Sequence, residues 1–236
     1  WPASVGLLLF ILIEVGSDIT YSPYLLSCVL LFYTVLTLLG SFIYGSDTWF
    51  TNADPISKFF RYYGAVSLLT YANNSVNIHL PGMKIMKGTN DAGLSSGHQV
   101  LFIITILFIT TYDGLISTQF WNSKIIFPLL SFGIPILIIH FIFLLFGHGL
   151  FYAIYHCAIL ITHRLSSTYI SIRSLNMQFA VSLIPIAAGY HLAHFTGYLL
   201  TFFPAFFSTI LHPLQPPMFY PNHLPFWISV FTLIFI

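Results

Sequence analysis

Charge is what this sequence has least of. Seven Lys or Arg and six Asp or Glu are spread over 236 residues, 6% of the chain, where a soluble domain carries about 25%. So few charges cannot cover a water-soluble globular enzyme of this size. The formal net charge of +1 gives no electrostatic footprint for nucleic acid, and none is expected as a partner. Cysteine is nearly as scarce. Cys28 and Cys157 both lie in apolar runs and form no CxxC, so they imply no disulfide framework. The chain carries no HExxH, GxSxG, P-loop or GxGxxG pattern. Ser41 and Ser46 have no His–Asp companions that sequence can place, which leaves a serine hydrolase unsupported. Internal repeats and low-complexity tracts are missing too.

Apolar side chains fill the space that charge leaves. Hydrophobic residues make up 57% of the chain and aromatics 18%, which excludes a disordered polypeptide. A helix crosses the hydrocarbon core with about 20 apolar residues. Runs of that kind cover Tyr24–Tyr44, Gln99–Ile116 and Met177–Phe203, the last with Pro185 inside it. Ala3–Val15 and Leu224–Ile236 are shorter apolar runs at the two ends, and both read as spans cut short. The expectation is therefore one transmembrane helical domain, 1–236, belonging to a longer chain. The run Ile125–Ile161 is long enough for either one tilted crossing or two crossings that turn at Gly147-His148-Gly149.

The positive-inside rule favours one crossing. It puts Lys58, Arg61, Lys84, Lys87, Arg164 and Arg173 on one side and Lys124 on the other. The fold class is then all-α, a polytopic transmembrane bundle of about six spans with incomplete terminal ones. Residues 45–97 form an inner loop. Within it, Asp54 can cap and Pro55 can open a short interfacial helix. Ile56, Phe59, Phe60 and Tyr63 recur there at helical spacing, with Lys58 and Arg61 on another face. Tyr71–Gly97 reads as a long polar loop. Trp49, Trp121 and Trp227 fall near expected membrane boundaries, as interfacial anchors do.

Ionisable groups inside a membrane are costly and mark candidate sites. Glu14 and Asp113 end two outward-running spans. His191 and His194, three residues apart, share a helix face. All four are expected at the same outer depth, and two imidazoles with two carboxylates suit Cu, Zn or Fe. The competing reading is helix-packing glue, with the imidazoles hydrogen-bonded to neighbouring helices. A second group is His140, His148, His156 and His163, of which His156 and His163 are two turns apart. It could relay protons. Haem is not expected, because transmembrane di-haem proteins pair histidines 13 or 14 apart on two helices and no such pairs occur here. The histidine clusters of membrane di-iron hydroxylases are missing as well.

Several stretches resemble one family of prokaryotic multi-span membrane proteins, named fenitrothion-hydrolase-like. They are Trp1-Pro2-Ala3 with Glu14, Leu31-Phe32-Tyr33-Thr34, and Ser46 to Phe60 with Trp49 and Asp54. Thr110-Thr111-Tyr112-Asp113-Gly114-Leu115, followed by Trp121, continues the likeness. The most distinctive run is Ser182 to His194, with Pro185, Tyr190, His191 and His194. The resemblance implies a longer helical membrane protein in a prokaryotic cell membrane and points to Asp113, His191 and His194. The family's name implies phosphotriester hydrolysis but carries over no catalytic residue. From these features the expected function is an accessory or structural subunit of a larger membrane complex, such as a respiratory, oxidase or monooxygenase assembly. The alternatives are a metal-dependent membrane enzyme and a transporter or proton path. The expected partners are the lipid bilayer and other membrane subunits.

Overall fold

The computed structural model describes residues 2–72, 74–78, 80, 83, 97–166 and 169–213. The chain divides into two compact units, 1–186 and 187–236. The order of elements is α1 (Pro2–Gly16), α2 (Pro23–Tyr44), α3 (Ser46–Asn52), α4 (Pro55–Gly64), β1 (Leu69–Ala72), β2 (Ser75–Ile78), α5 (Gly97–Ile116), α6 (Phe127–Ser131), α7 (Ile136–Ser166) and α8 (Ile172–Leu211). A 3-10 turn at Asp18–Thr20 joins α1 to α2, and a π-helical turn at Trp121–Ile126 leads into α6. The protein is mostly helical. Among the described residues, four stretches are long and apolar enough to cross a membrane: α2, α5, α7 and Ile172–Gly197 of α8. α1 is apolar but shorter.

α5 forms the centre of the first unit. Ten of its residues are buried, from Val100 to Tyr112, and α1 packs against both α5 and α7. α2 is built the other way round. Of its 22 residues only Gly40 is buried, and its Leu, Ile and Phe side chains face outward. In water such a surface would be a large aggregation-prone patch. Against lipid tails it costs nothing, so these helices suit a lipid environment.

Two turns correct the sequence reading. The run expected over Ile125–Ile161 starts late. Gly133 takes a positive φ of 79° and Pro135 follows it, so α6 stops at Ser131 and the long helix begins at Ile136. From there it is unbroken for 31 residues, about 46 Å. Gly147 and Gly149 do not interrupt it. Similarly, Pro185 lies inside the 40 residues of α8 without ending it.

The segment after α2 is more structured than a loop. Gly45, at φ 82°, reverses the chain, and α3 doubles back along α2. Trp49 sits so close to Gly40 that a Cβ there would overlap its ring, and Tyr44 stacks on Trp49 at 6.2 Å. Asp54 caps α4 by accepting from the Ser57 N–H at 2.6 Å, with Pro55 in the first position. The helix expected at this place thus forms. Its start, however, lies beside the middle of α1 and α2 rather than at their ends. Tyr33, eleven residues before Tyr44 and so about 16 Å up α2, donates its phenol to Asp54 Oδ2 at 2.6 Å. A Cβ on Gly6 of α1 would stand 3.1 Å from the Pro55 ring. Beyond α4, part of the expected polar loop is a hairpin. Leu69 pairs with Ile78 and Ala72 with Ser75, and Asn74 turns the chain at φ 56°. Asn tolerates that left-handed conformation. The terminal run Leu224–Ile236 lies outside the described residues.

Candidate functional site

The ionisable residues singled out by sequence fall into three places. Glu14, exposed near the end of α1, and Asp113, half-buried in the last turn of α5, are near enough to feel each other's charge. Like charges at close range favour a shared cation or proton. His191 and His194 lie in the second unit, half-buried and one turn apart on α8. His191 stacks on Phe195 at 4.7 Å, and His194 stacks on Tyr190 at 6.3 Å. The carboxylate pair and the imidazole pair thus belong to different units. Within either unit by itself, no three His, Cys, Asp or Glu side chains among the described residues gather as a metal-holding group.

The histidines of α7 form a stripe with hydroxyl partners on α5. Tyr112 Oη and His140 Nδ1 are 2.7 Å apart in a buried contact. Thr105 Oγ1 and His148 Nε2 are 3.0 Å apart. Thr105 donates its single proton to the Leu101 carbonyl at 2.8 Å, so its oxygen accepts from His148 Nε2–H. The helices are antiparallel. A spacing of seven from Thr105 to Tyr112 on α5 therefore matches one of eight from His140 to His148 on α7. Each rung joins one hydroxyl to one imidazole. Trp121 closes the upper rung, stacked on His140 at 6.1 Å and edge-on to Tyr112 at 5.7 Å. Gly147 makes room beside the lower rung for Phe108, whose ring a Cβ would approach to 2.8 Å. Hydrogen bonds of this kind between membrane helices contribute about 0.6 kcal/mol each. His156, about two turns further along α7, stacks on Tyr152 at 6.2 Å, and its Nδ1 is buried with no partner among the described residues. Trp121 Nε1 is likewise unpartnered.

Sequence reading missed a third place. Asp54 is completely buried, held by Tyr33 and by the start of α4. Lys58, one turn on, is buried as well and sets its ammonium 5.0 Å from the centre of the Phe102 ring, a cation–π contact. Burial, then the nearby Arg61 charge, hold that ammonium below the ordinary lysine range. The buried face of α4 is therefore Asp54, Lys58 and Tyr62, while Ile56, Phe60 and Arg61 are exposed. Sequence reading had put Lys58 and Arg61 together on one polar face; the structure separates them.

α2 presents a matching stripe. Tyr33, Thr37 and Ser41 recur every fourth residue on its packed side, next to Gly40. The Thr37 hydroxyl lies within reach of Tyr33 without making a well-formed bond to it. Thr37 Oγ1, Ser41 Oγ and Trp49 Nε1 are all buried with no hydrogen-bond partner among the described residues. The detectable signal was the hydroxyl repeat at helical spacing in an otherwise apolar span. No family model, no curated protein and no solved structure matches this chain.

Proposed function

We propose that this chain is an integral membrane subunit of a larger membrane assembly, in which it serves an accessory or structural role. The observation that carries the reading is α2, a 22-residue apolar helix with a single buried residue. Helices so lightly held to their own chain gain order from neighbouring subunits through van der Waals packing. The α5–α7 rungs support the same role, since their imidazoles are engaged in joining helices. In this reading the chain has about six spans in a prokaryotic cell membrane. Its resemblance to the fenitrothion-hydrolase-like family belongs to the same proposal. Purification from native membranes in mild detergent tests it. Co-purifying subunits in fixed proportion are the expected result, and a monodisperse lone polypeptide refutes it.

A second reading is a metal-dependent membrane enzyme in which Glu14 and Asp113 of the first unit hold a Cu, Zn or Fe ion. The closeness of Glu14 to Asp113 favours it, because a bound cation would relieve their repulsion. A metal held there would activate water for phosphotriester hydrolysis. Elemental analysis of the purified protein decides it. The site predicts near-stoichiometric metal that disappears in Glu14→Gln plus Asp113→Asn. Less than about a tenth of an equivalent per chain removes the reading.

A further inference from the structure

The seam between α2 and α3 holds three buried polar atoms without partners among the described residues, and it ends at a buried carboxylate. Unpartnered buried polar atoms are rare in native proteins, and where they cluster, ordered water is the usual partner. Thr37 Oγ1, Ser41 Oγ and Trp49 Nε1 lie in one seam. Tyr33, Thr37 and Ser41 form a ladder on α2, each rung about 6 Å from the next, and the Trp49 ring of α3 lies against Gly40 beside it. Ser41 is three residues from the end of α2, so the ladder opens at the Tyr44–Gly45 turn. Its other end is Asp54, about 16 Å deeper. Non-helical backbone at membrane depth, such as the Ala53–Asp54 break between α3 and α4, persists only where protein buries it or water lines it.

We propose that the α2–α3 seam is an aqueous half-channel that delivers protons from the Tyr44–Gly45 end to Asp54. The ligand is water and its hydronium ion. In the transfer, hydronium gives a proton to the Tyr33 phenol oxygen while the phenol's own proton passes to Asp54 Oδ2. The Tyr33 O–H bond is broken and remade, a carboxylate lone pair takes up the proton, and neutral water remains. The groups around Asp54 suit a reversible load. Tyr33 faces it from α2, and Lys58 stands one turn on in α4. Asp47 of α3 is exposed, as is Arg61 of α4. The one acid of α1, Glu14, is eight residues beyond Gly6, about 12 Å away along that helix. Protonation removes the charge from the cap on Ser57 N–H and weakens the start of α4. The inference stands whether or not the chain joins a larger assembly.

The test uses the full chain in liposomes, in two arms. For the route, Cys28 and Cys157 are replaced by Ser, and single cysteines are placed at Thr37, Ser41 and the lipid-facing Leu38. Silver ion, a small aqueous thiol probe, is added, and the thiols that remain are alkylated after denaturation. Thr37→Cys and Ser41→Cys are expected to be blocked at least about tenfold faster than Leu38→Cys, because the reactive thiolate forms only in water. For the load, wild-type protein is treated with a hydrophobic carbodiimide, which reacts with protonated buried carboxyls, and the adducts are mapped by mass spectrometry. An adduct at Asp54 that grows as pH falls is expected, with an altered pH profile in Tyr33→Phe. Seam cysteines blocked no faster than Leu38→Cys overturn the channel. An Asp54 adduct that is absent at every pH, or that ignores pH, overturns the proton load without any substituted protein being needed.

Discussion

Two seams of this protein join an apolar helix to its neighbour through polar side chains, and they do so differently. Between α5 and α7, each imidazole meets a hydroxyl: Tyr112 with His140 and Thr105 with His148. Among the described residues, the Trp121 indole N–H beside the upper rung and His156 Nδ1 further along α7 lack a partner. Between α2 and α3, the hydroxyls of Thr37 and Ser41 and the indole of Trp49 are equally hidden, and none is paired among the described residues. The first seam is a dry joint. The second has the donors and acceptors that a file of water needs. Residue type does not separate glue from path, because Thr appears in both. What separates them is whether the facing helix supplies a partner.

Four sets of substitutions sharpen or break this contrast, each read as thermal stability of the purified protein in detergent. The largest effect is expected for Asp54→Ala. It removes a helix cap and orphans the Tyr33 phenol, a loss of about 3 kcal/mol. Asp54→Asn keeps a capping side chain and should recover most of it. Next is Gly40→Leu, whose side chain has no room beside the Trp49 ring. About 2 kcal/mol of overpacking is expected, whereas Gly149→Ala, with nothing within 4 Å, should leave the melting temperature unchanged. A double-mutant cycle of Tyr112→Phe and His140→Leu should return a coupling of about 0.6 kcal/mol, and up to about 1.7. A coupling of zero would mean that the rung is no joint at all. The smallest change belongs to Thr37→Val, within about 0.5 kcal/mol, because no protein partner is lost. Thr105→Val, in the dry seam, should cost clearly more. Equal costs at Thr37 and Thr105 would erase the distinction between the seams.

Local signals carried well into the structure. The runs at Tyr24–Tyr44 and Gln99–Ile116 became α2 and α5 with ends shifted by a residue or two. Asp54 before Pro55 announced α4, because a capping side chain and a proline without an N–H act within one turn. The hairpin at Leu69–Ile78 was missed. Asn74, which turns the chain, was in plain view, but the strands are only four residues each and lack clear alternation. The start of α7 was missed because an apolar run hides its own break, and the positive φ at Gly133 decided it. Of the proposed metal ligands, sequence reading placed His191 and His194 on one face by periodicity, and the structure adds the nearness of Glu14 to Asp113.

By itself, the sequence determined that this is a helical protein suited to lipid. That follows from the scarcity of charge and from apolar runs of membrane length, properties that need no knowledge of neighbours. Helix caps and same-face pairs were legible for the same reason, since the α-helix repeats every 3.6 residues. Which polar atoms find partners was decided by tertiary structure alone. Tyr33 meets Asp54 across 21 residues, Tyr112 meets His140 across 28, and Thr105 meets His148 across 43. Such pairings depend on which helix lies opposite and at what depth. Thr37 and Ser41 look no different from Thr105 along the chain. The way α3 turns back at Gly45 leaves them buried and unpaired.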